Sequence, residues 1–177
     1  MTRKVKVMYV SWITVHREIL KLAASISRSY KPDTIIAIAK GGLIPARILA
    51  DLLDVREIGF IEVKFYKRVG EAREKPYITF TAFPPLDGKR ILVVDDIVDS
   101  GRTLQVVADL LSRFKYADLK FASLYAKPWS TLLPDYYGRI VEEWIVFPWE
   151  ICETVKEGLS LEGVDVVEVL EYCESMK

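Results

Sequence analysis

Apolar residues recur along the first part of the chain in two different rhythms. Val15, Ile19, Leu22, Ala23 and Ile26 follow the three-and-four spacing of one helix face, so residues about 14–29 are predicted as an amphipathic helix. Lys31-Pro32-Asp33 interrupts it. Thr34–Ala39 is a short unbroken β-rich run, the pattern of a strand covered on both faces. Lys40-Gly41-Gly42 then reads as a turn, and Pro45 suits the first turn of a helix through about Leu53. Ile58–Phe65 is a further strand, and Tyr77–Phe83 a returning one closed by Pro84-Pro85. The polar residues between them, about 66–76, are expected to form a mobile loop. Downstream come a strand at Arg90–Val94, a helix at Thr103–Phe114, a strand at Leu119–Ala126 and a short strand at Glu143–Phe147. Pro134-Asp135-Tyr136-Tyr137 reads as packing, and Val164, Val167 and Leu170 stripe a terminal helix within residues 160–175. Strands alternating with helices predict an α/β fold with a mostly parallel twisted sheet flanked by helices.

Composition narrows the class. A length of 177 residues without repeats or linker suits a single domain, residues 1–177, and a 51% hydrophobic content supports a real core. Lysine and arginine total 25, aspartate and glutamate 25, so the net charge is zero. That balance leaves no electrostatic footprint for nonspecific nucleic-acid binding. No apolar run approaches the ~20 residues of a membrane span. The basic opening Met1–Val10 lacks a long apolar stretch, so no signal peptide is expected. Two cysteines, Cys152 and Cys173, are too few for a disulfide framework, and a reducing cytoplasm is the expected setting. The chain has no asparagine and one glutamine, Gln105; depletion of these thermolabile amides points to a thermophilic source.

The chemistry concentrates in Val93-Val94-Asp95-Asp96-Ile97-Val98-Asp99-Ser100-Gly101-Arg102-Thr103-Leu104. A buried strand runs into an acidic segment, then a hydroxyl-rich turn, then a helix. In such folds ligands sit outside the carboxyl ends of the strands. Ionised Asp95 and Asp96 are acceptors only, which suits the vicinal hydroxyls of a ribose, directly or through magnesium. Ser100, Gly101, Arg102 and Thr103 open a helix whose free amides form an anion site, fit for a 5′-phosphate. On residue types alone other readings stand beside this one. Asp99 or Ser100 suits a helix cap. Asp-Asp after an apolar run also resembles a Walker B segment, although the chain has no Gly-x-x-x-x-Gly-Lys-[Ser/Thr] partner for it.

The full motif resembles the phosphoribosyl pyrophosphate signature of the type I phosphoribosyltransferases, and it extends to Leu104. Ala39-Lys40-Gly41-Gly42-Leu43-Ile44-Pro45 is similar to that family's pyrophosphate loop, although the segment by itself also fits an ordinary tight turn. The resemblance implies a non-proline cis peptide at Lys40–Gly41. Tyr125-Ala126-Lys127-Pro128, Glu143-Trp144-Ile145-Val146-Phe147-Pro148-Trp149-Glu150 and Tyr9-Val10-Ser11-Trp12 with His16 resemble the xanthine-guanine branch of bacteria. Similarity runs from about Tyr9 to about Glu150, with a base-recognition hood at about 125–150 and an extra C-terminal segment at 155–177.

What the resemblance implies is a purine phosphoribosyltransferase of the cytoplasm that uses phosphoribosyl pyrophosphate, a 6-oxopurine and Mg2+ and releases a nucleoside monophosphate. Asp99 would be the catalytic residue, facing the purine N7. Asp95 and Asp96 would hold ribose and metal, Ser100 to Leu104 the 5′-phosphate, and Lys40 and Gly41 the pyrophosphate. Lys127 would donate to the 6-oxo group, as an ammonium with three donors and no acceptor should. Trp144 would stack on the base, the Ile145 backbone would read its edge, and Glu150 stands where the family has aspartate. By residue type Lys127 also fits a solvated lysine and Trp144 a core tryptophan. The mobile loop departs from the family: its Ser-Tyr pair is replaced by Phe65-Tyr66. His16, the sole histidine, is expected to be structural. The resemblance implies a homodimer or larger homo-oligomer, since the family usually forms dimers or larger, and no membrane partner is expected. The alternatives are the same transfer to another base, or a phosphoribosyl pyrophosphate-sensing regulator that binds nucleic acid. Zero net charge disfavours the latter.

Overall fold

A computed structural model of the chain describes residues 6–66, 75–156, 171–173 and 175. Its elements are β1 (Val7–Tyr9), α1 (Trp12–Ser27), β2 (Thr34–Ala39), α2 (Leu43–Leu52), β3 (Glu57–Tyr66), β4 (Lys75–Ala82), β5 (Arg90–Val98), α3 (Arg102–Leu111), β6 (Asp118–Ala126), β7 (Tyr136–Ile140), β8 (Trp144–Val146) and α4 (Ile151–Lys156). The chain divides into two compact units, Glu18–Val141 and Met1–Arg17 with Glu142–Lys177.

The larger unit is built on a six-stranded sheet in the order β4-β3-β2-β5-β6-β7. Every pairing is parallel except β3 with β4. The central strands β2 and β5 carry the unbroken apolar runs, and Ile35 to Ala37 and Ile91 to Val94 are wholly buried. That is the demand placed on a strand covered from both sides. Ile36, Ile38, Ile91 and Val93 share one core with Leu104, Val107 and Leu111 of α3. The helix spacing of those three residues meets the two-residue period of the strands. α2 packs on β2 and β5. The stripe predicted for α1 is buried throughout, from Val15 to Ile26. Asp33 fastens the starts of β2 and β5: its carboxylate accepts hydrogen bonds from the Arg90 amide (2.9 Å), Nε (3.0 Å) and guanidinium (2.8 Å).

The smaller unit contains a two-stranded parallel sheet with Val7 opposite Trp144 and Tyr9 opposite Val146. Phe147 and Trp149 stack with centroids 4.6 Å apart, and Trp12 lies 5.7 Å from Trp149.

The structure departs from the sequence reading in particulars. β5 does not stop at Val94 but continues through both aspartates to Val98, because its pairing with β6 carries on past them. Residues 136–140, expected only to pack, are the strand β7, docked by Asp135, which accepts the Phe121 amide at 2.8 Å and Lys120 Nζ at 3.0 Å. β1 was not foreseen. The cis peptide lies at Ala39–Lys40, one bond before the expected one. Cys152 and Cys173, expected as reduced thiols, form a disulfide: the fold brings Cα atoms 21 positions apart in sequence to 5.1 Å, which spacing alone does not disclose. Residues 67–74 of the expected loop and most of the expected terminal helix lie outside the described residues.

Candidate active site

In the larger unit, α2 leads from β2 outward to β3, and α3 leads from β5 outward to β6. The strand order therefore reverses between β2 and β5, and a crevice forms outside the carboxyl ends of strands at such a switch point. The β2–β5 pairing ends at Ala37 opposite Val94, one residue before the first aspartate. A cleft of about 310 Å³ opens there, lined by Lys40 and Gly41, by Asp95 to Gly101, by Thr103 and Leu104, and by Val63 and Phe65 of β3.

Asp95 and Asp96 form its floor, each only 8% exposed. Asp95 Oδ1 accepts the Asp96 amide at 3.0 Å, and Asp96 Oδ1 accepts the Ile97 amide at 2.7 Å. Burial, and then the adjacent Asp96 charge, push Asp95 well above the ordinary carboxylate range. A bound cation or hydroxyl donors would relieve that penalty. The backbone of Gly41 lies against the Asp96 carboxylate, and the Gly42 amide donates to Ile38 O at 2.8 Å to hold the turn.

The opposite wall is the start of α3. Gly101 is its cap residue, with φ of 80°, and no side chain caps the helix. Ser100 Oγ reaches only to 3.5 Å from the Arg102 amide. The start of α3, whose cap residue Gly101 supplies no side chain to its amides, suits an anion. Ser100 thus makes one long cap-like contact, while Asp99 Oδ1 accepts the indole Nε1–H of Trp129 at 2.8 Å.

Lys127 is buried at the end of β6, its amide donating to Val98 O at 2.9 Å. Its ammonium lies 5.4 Å from the centroid of the Trp129 ring. In the smaller unit Trp144 is not a core tryptophan: it is 49% exposed, while Ile145 beside it is buried. Glu150 Oε1 accepts the Phe147 amide at 2.9 Å, and the Glu150 amide donates to Phe147 O at 3.1 Å, so this residue closes the turn after β8. His16 is exposed on α1.

Lys40, Gly41, Asp95, Asp96, Asp99, Ser100, Gly101, Thr103 and Leu104 are brought together around one cleft. Arg102 stands in the first turn of α3 beside it. Trp129 and Val63 were missed by the sequence reading. The only signal for Trp129 was its place two residues after Lys127.

Among the described residues no group of three or more His, Cys, Asp or Glu converges as a metal site. The Asp95–Asp96 pair nevertheless fits magnesium, which takes one or two carboxylates and completes its octahedron with waters and substrate phosphate oxygens.

A family model described as phosphoribosyl transferase domain matches residues 9–155. The xanthine-guanine phosphoribosyltransferase of Gluconobacter oxydans is 36% identical over 144 residues, 80% of this chain and 83% of the relative. That of Cereibacter sphaeroides is also 36% identical, over 156 residues, covering 83% and 89%. Among solved structures, a purine phosphoribosyltransferase from Pyrococcus horikoshii superposes with a TM-score of 0.73 at 45% identity, covering 81% of this chain and 93% of that one.

Proposed function

The chain belongs to the phosphoribosyltransferase family, and on that premise we propose the reaction and the residue roles that its cleft supports best. It is a purine phosphoribosyltransferase. It transfers the 5-phosphoribosyl group of phosphoribosyl pyrophosphate to N9 of a 6-oxopurine, giving the nucleoside 5′-monophosphate and pyrophosphate in purine salvage. The observation that carries this reading is the pairing, within one cleft at the β2–β5 switch point, of two buried carboxylates with a helix N-terminus that opens on a glycine.

Asp95 and Asp96 accept the ribose hydroxyls. The amides at the start of α3, with Ser100 and Thr103, hold the 5′-phosphate, and Arg102 adds positive charge there. The backbone of Lys40 and Gly41 and the Lys40 ammonium, which line the cleft, hold the pyrophosphate. Both reactants are thereby fixed, which turns a bimolecular encounter into a local step. The N9–anomeric carbon bond forms as the bond to pyrophosphate breaks, through an oxocarbenium-like transition state. The base must lose a proton, and Asp99 receives or steadies it at N7. Lys127 donates to the 6-oxygen and disfavours an amino group there. In the smaller unit, taken by itself, Trp144 offers an exposed ring face and Ile145 lies beside it in β8; the resemblance assigns both to base recognition. Glu150 holds the turn that follows them. Asp95 and Asp96 would hold magnesium together with the substrate, and the ion would supply charge compensation for the leaving pyrophosphate.

We place the enzyme in the cytoplasm of a thermophile, as a homodimer or larger homo-oligomer. Among the described residues no helix is long and apolar enough to cross a membrane. The Cys152–Cys173 disulfide accords with that setting, since intracellular proteins of hyperthermophiles retain such bonds. A melting midpoint within the mesophile range, ~45–65 °C, would count against the source.

The test is a spectrophotometric assay of guanine, xanthine, hypoxanthine and adenine, each with phosphoribosyl pyrophosphate and magnesium. Nucleotide formation from at least one oxopurine, with adenine poor, is expected. Turnover of adenine alone, or of no purine, overturns the reading.

A further inference from the structure

The loop after β6 touches the acidic segment at Asp99, Ser100 and Gly101. Trp129 Nε1 donates to Asp99 Oδ1 at 2.8 Å. Thr131 donates to Ser100 O twice, from its amide at 3.3 Å and its hydroxyl at 2.9 Å. Leu132 N and Ser130 Oγ stand so close to Gly101 that a β-carbon there would approach them to 2.7 and 2.9 Å. The Ser130 amide donates to Lys127 O at 3.1 Å and closes the turn that presents the indole. The Trp129 ring also lies under the Lys127 ammonium, 5.4 Å from it to the centroid.

We propose that Trp129 is a positioning residue that fixes the Asp99 carboxylate and its spacing from Lys127, and so sets recognition of a purine edge bearing an oxygen beside a ring nitrogen. This rests on the assignment of Asp99 and Lys127 to the base.

A short carboxylate on a bend has freedom at its terminal torsion, which is broad and roughly two-fold. A charge-assisted hydrogen bond from a rigid indole removes that freedom. Indole N–H is a donor only, so it pins Oδ1 without competing for a proton. Among the described residues no hydrogen bond reaches Oδ2, which is then presented to ligand. The ring face turned to Lys127 couples the cation to the same anchor. O6 and N7 are neighbours on a 6-oxopurine, so a fixed separation between ammonium and carboxylate selects that edge. Trp129 is 55% exposed, which sets it apart from an indole kept for core packing.

Trp129→Phe keeps a ring beneath Lys127 and removes the donor; Trp129→His restores a ring N–H. Each is made in the parent and in Asp99→Ala, and kcat and both KM values are measured with guanine. Trp129→Phe is expected to lower kcat about tenfold, a fraction of what misplacement of a reacting group can cost. KM for phosphoribosyl pyrophosphate stays within about twofold, Trp129→His recovers part of the loss, and in Asp99→Ala the Phe substitution changes kcat less than about twofold. A merely structural role would leave the loss undiminished in Asp99→Ala or unrescued by His, and either outcome overturns the proposal, as does a parent-like kcat in Trp129→Phe. If Asp99→Ala itself turns over like the parent, it is the assignment of Asp99 that fails; if Asp99→Ala is slow and Trp129→Phe is not, only the role of Trp129 fails.

Discussion

Gly41 and Asp96 adjoin so closely that a β-carbon on residue 41 would overlap both oxygens and the carboxyl carbon of Asp96. The turn after β2 and the acidic floor of the cleft are thus one steric unit, although 55 positions separate Gly41 from Asp96 in the chain. Gly41→Ala must displace the Asp96 carboxylate and strain its 2.7 Å hydrogen bond from the Ile97 amide. We expect KM for phosphoribosyl pyrophosphate to rise about 10- to 100-fold, the scale of a displaced binding group. Circular dichroism should show an intact fold. An unchanged KM would mean that Asp96 does not serve the sugar.

Lys127→Ala should spare the sugar phosphate and harm the base. A hydrogen bond from a charged donor contributes ~1.5–3 kcal/mol, so kcat/KM for guanine should fall about 10- to 100-fold. Calorimetric binding of phosphoribosyl pyrophosphate should change little. Discrimination against adenine should weaken in parallel, because the ammonium is what disfavours an amino group. Equal losses for both substrates would remove Lys127 from the base site.

Gly42 meets backbone, not side chain. A β-carbon there would overlap Val94 O and stand 2.7 Å from Ile38 O, both on central strands that cannot retreat. Gly42→Ala should destabilise the protein by about 1–3 kcal/mol, the usual cost of overpacking. Urea unfolding measures it. The contrast with position 41 is the point of the pair: one alanine should act on substrate binding, the other on stability.

These contrasts mark what the chain discloses and what it hides. β2 was legible at both ends, because Thr34–Ala39 is buried on both faces and bounded by Asp33 and the glycine turn. The acidic segment was legible as chemistry, but the strand that carries it was ended too early, at Val94. Polar side chains look like the end of a strand, yet Asp95 still pairs with Ser123, and Ile97 with Tyr125, while only the β2 side of β5 falls open. β7 was obscured by Gly138, where a β-carbon would crowd Leu124 O at 2.5 Å, so that its sequence looks like a turn. Trp129 was invisible because its role depends on β6 ending beside β5, a tertiary fact with no local pattern. The disulfide was hidden for the same reason.

Asp33 supplies the pH test. The Arg90 side chain, and then its amide, hydrogen-bond the Asp33 carboxylate and lower its pKa to about 2. An acid depressed in the fold stabilises it above its unfolded value, near 4, and loses that contribution as pH falls through about 2. The side chains of the pair are each 41% exposed, so solvent screening limits the contribution to about 0.2–1 kcal/mol. Asp33→Asn keeps the size of the side chain and removes the charge. At pH 7 the variant should be less stable than the parent by that amount in urea unfolding. The gap should be steady down to about pH 5 and close progressively toward pH 2. A gap that does not vary with pH would show that the Arg90 amide bond, and not the ion pair, ties β2 to β5 at this end.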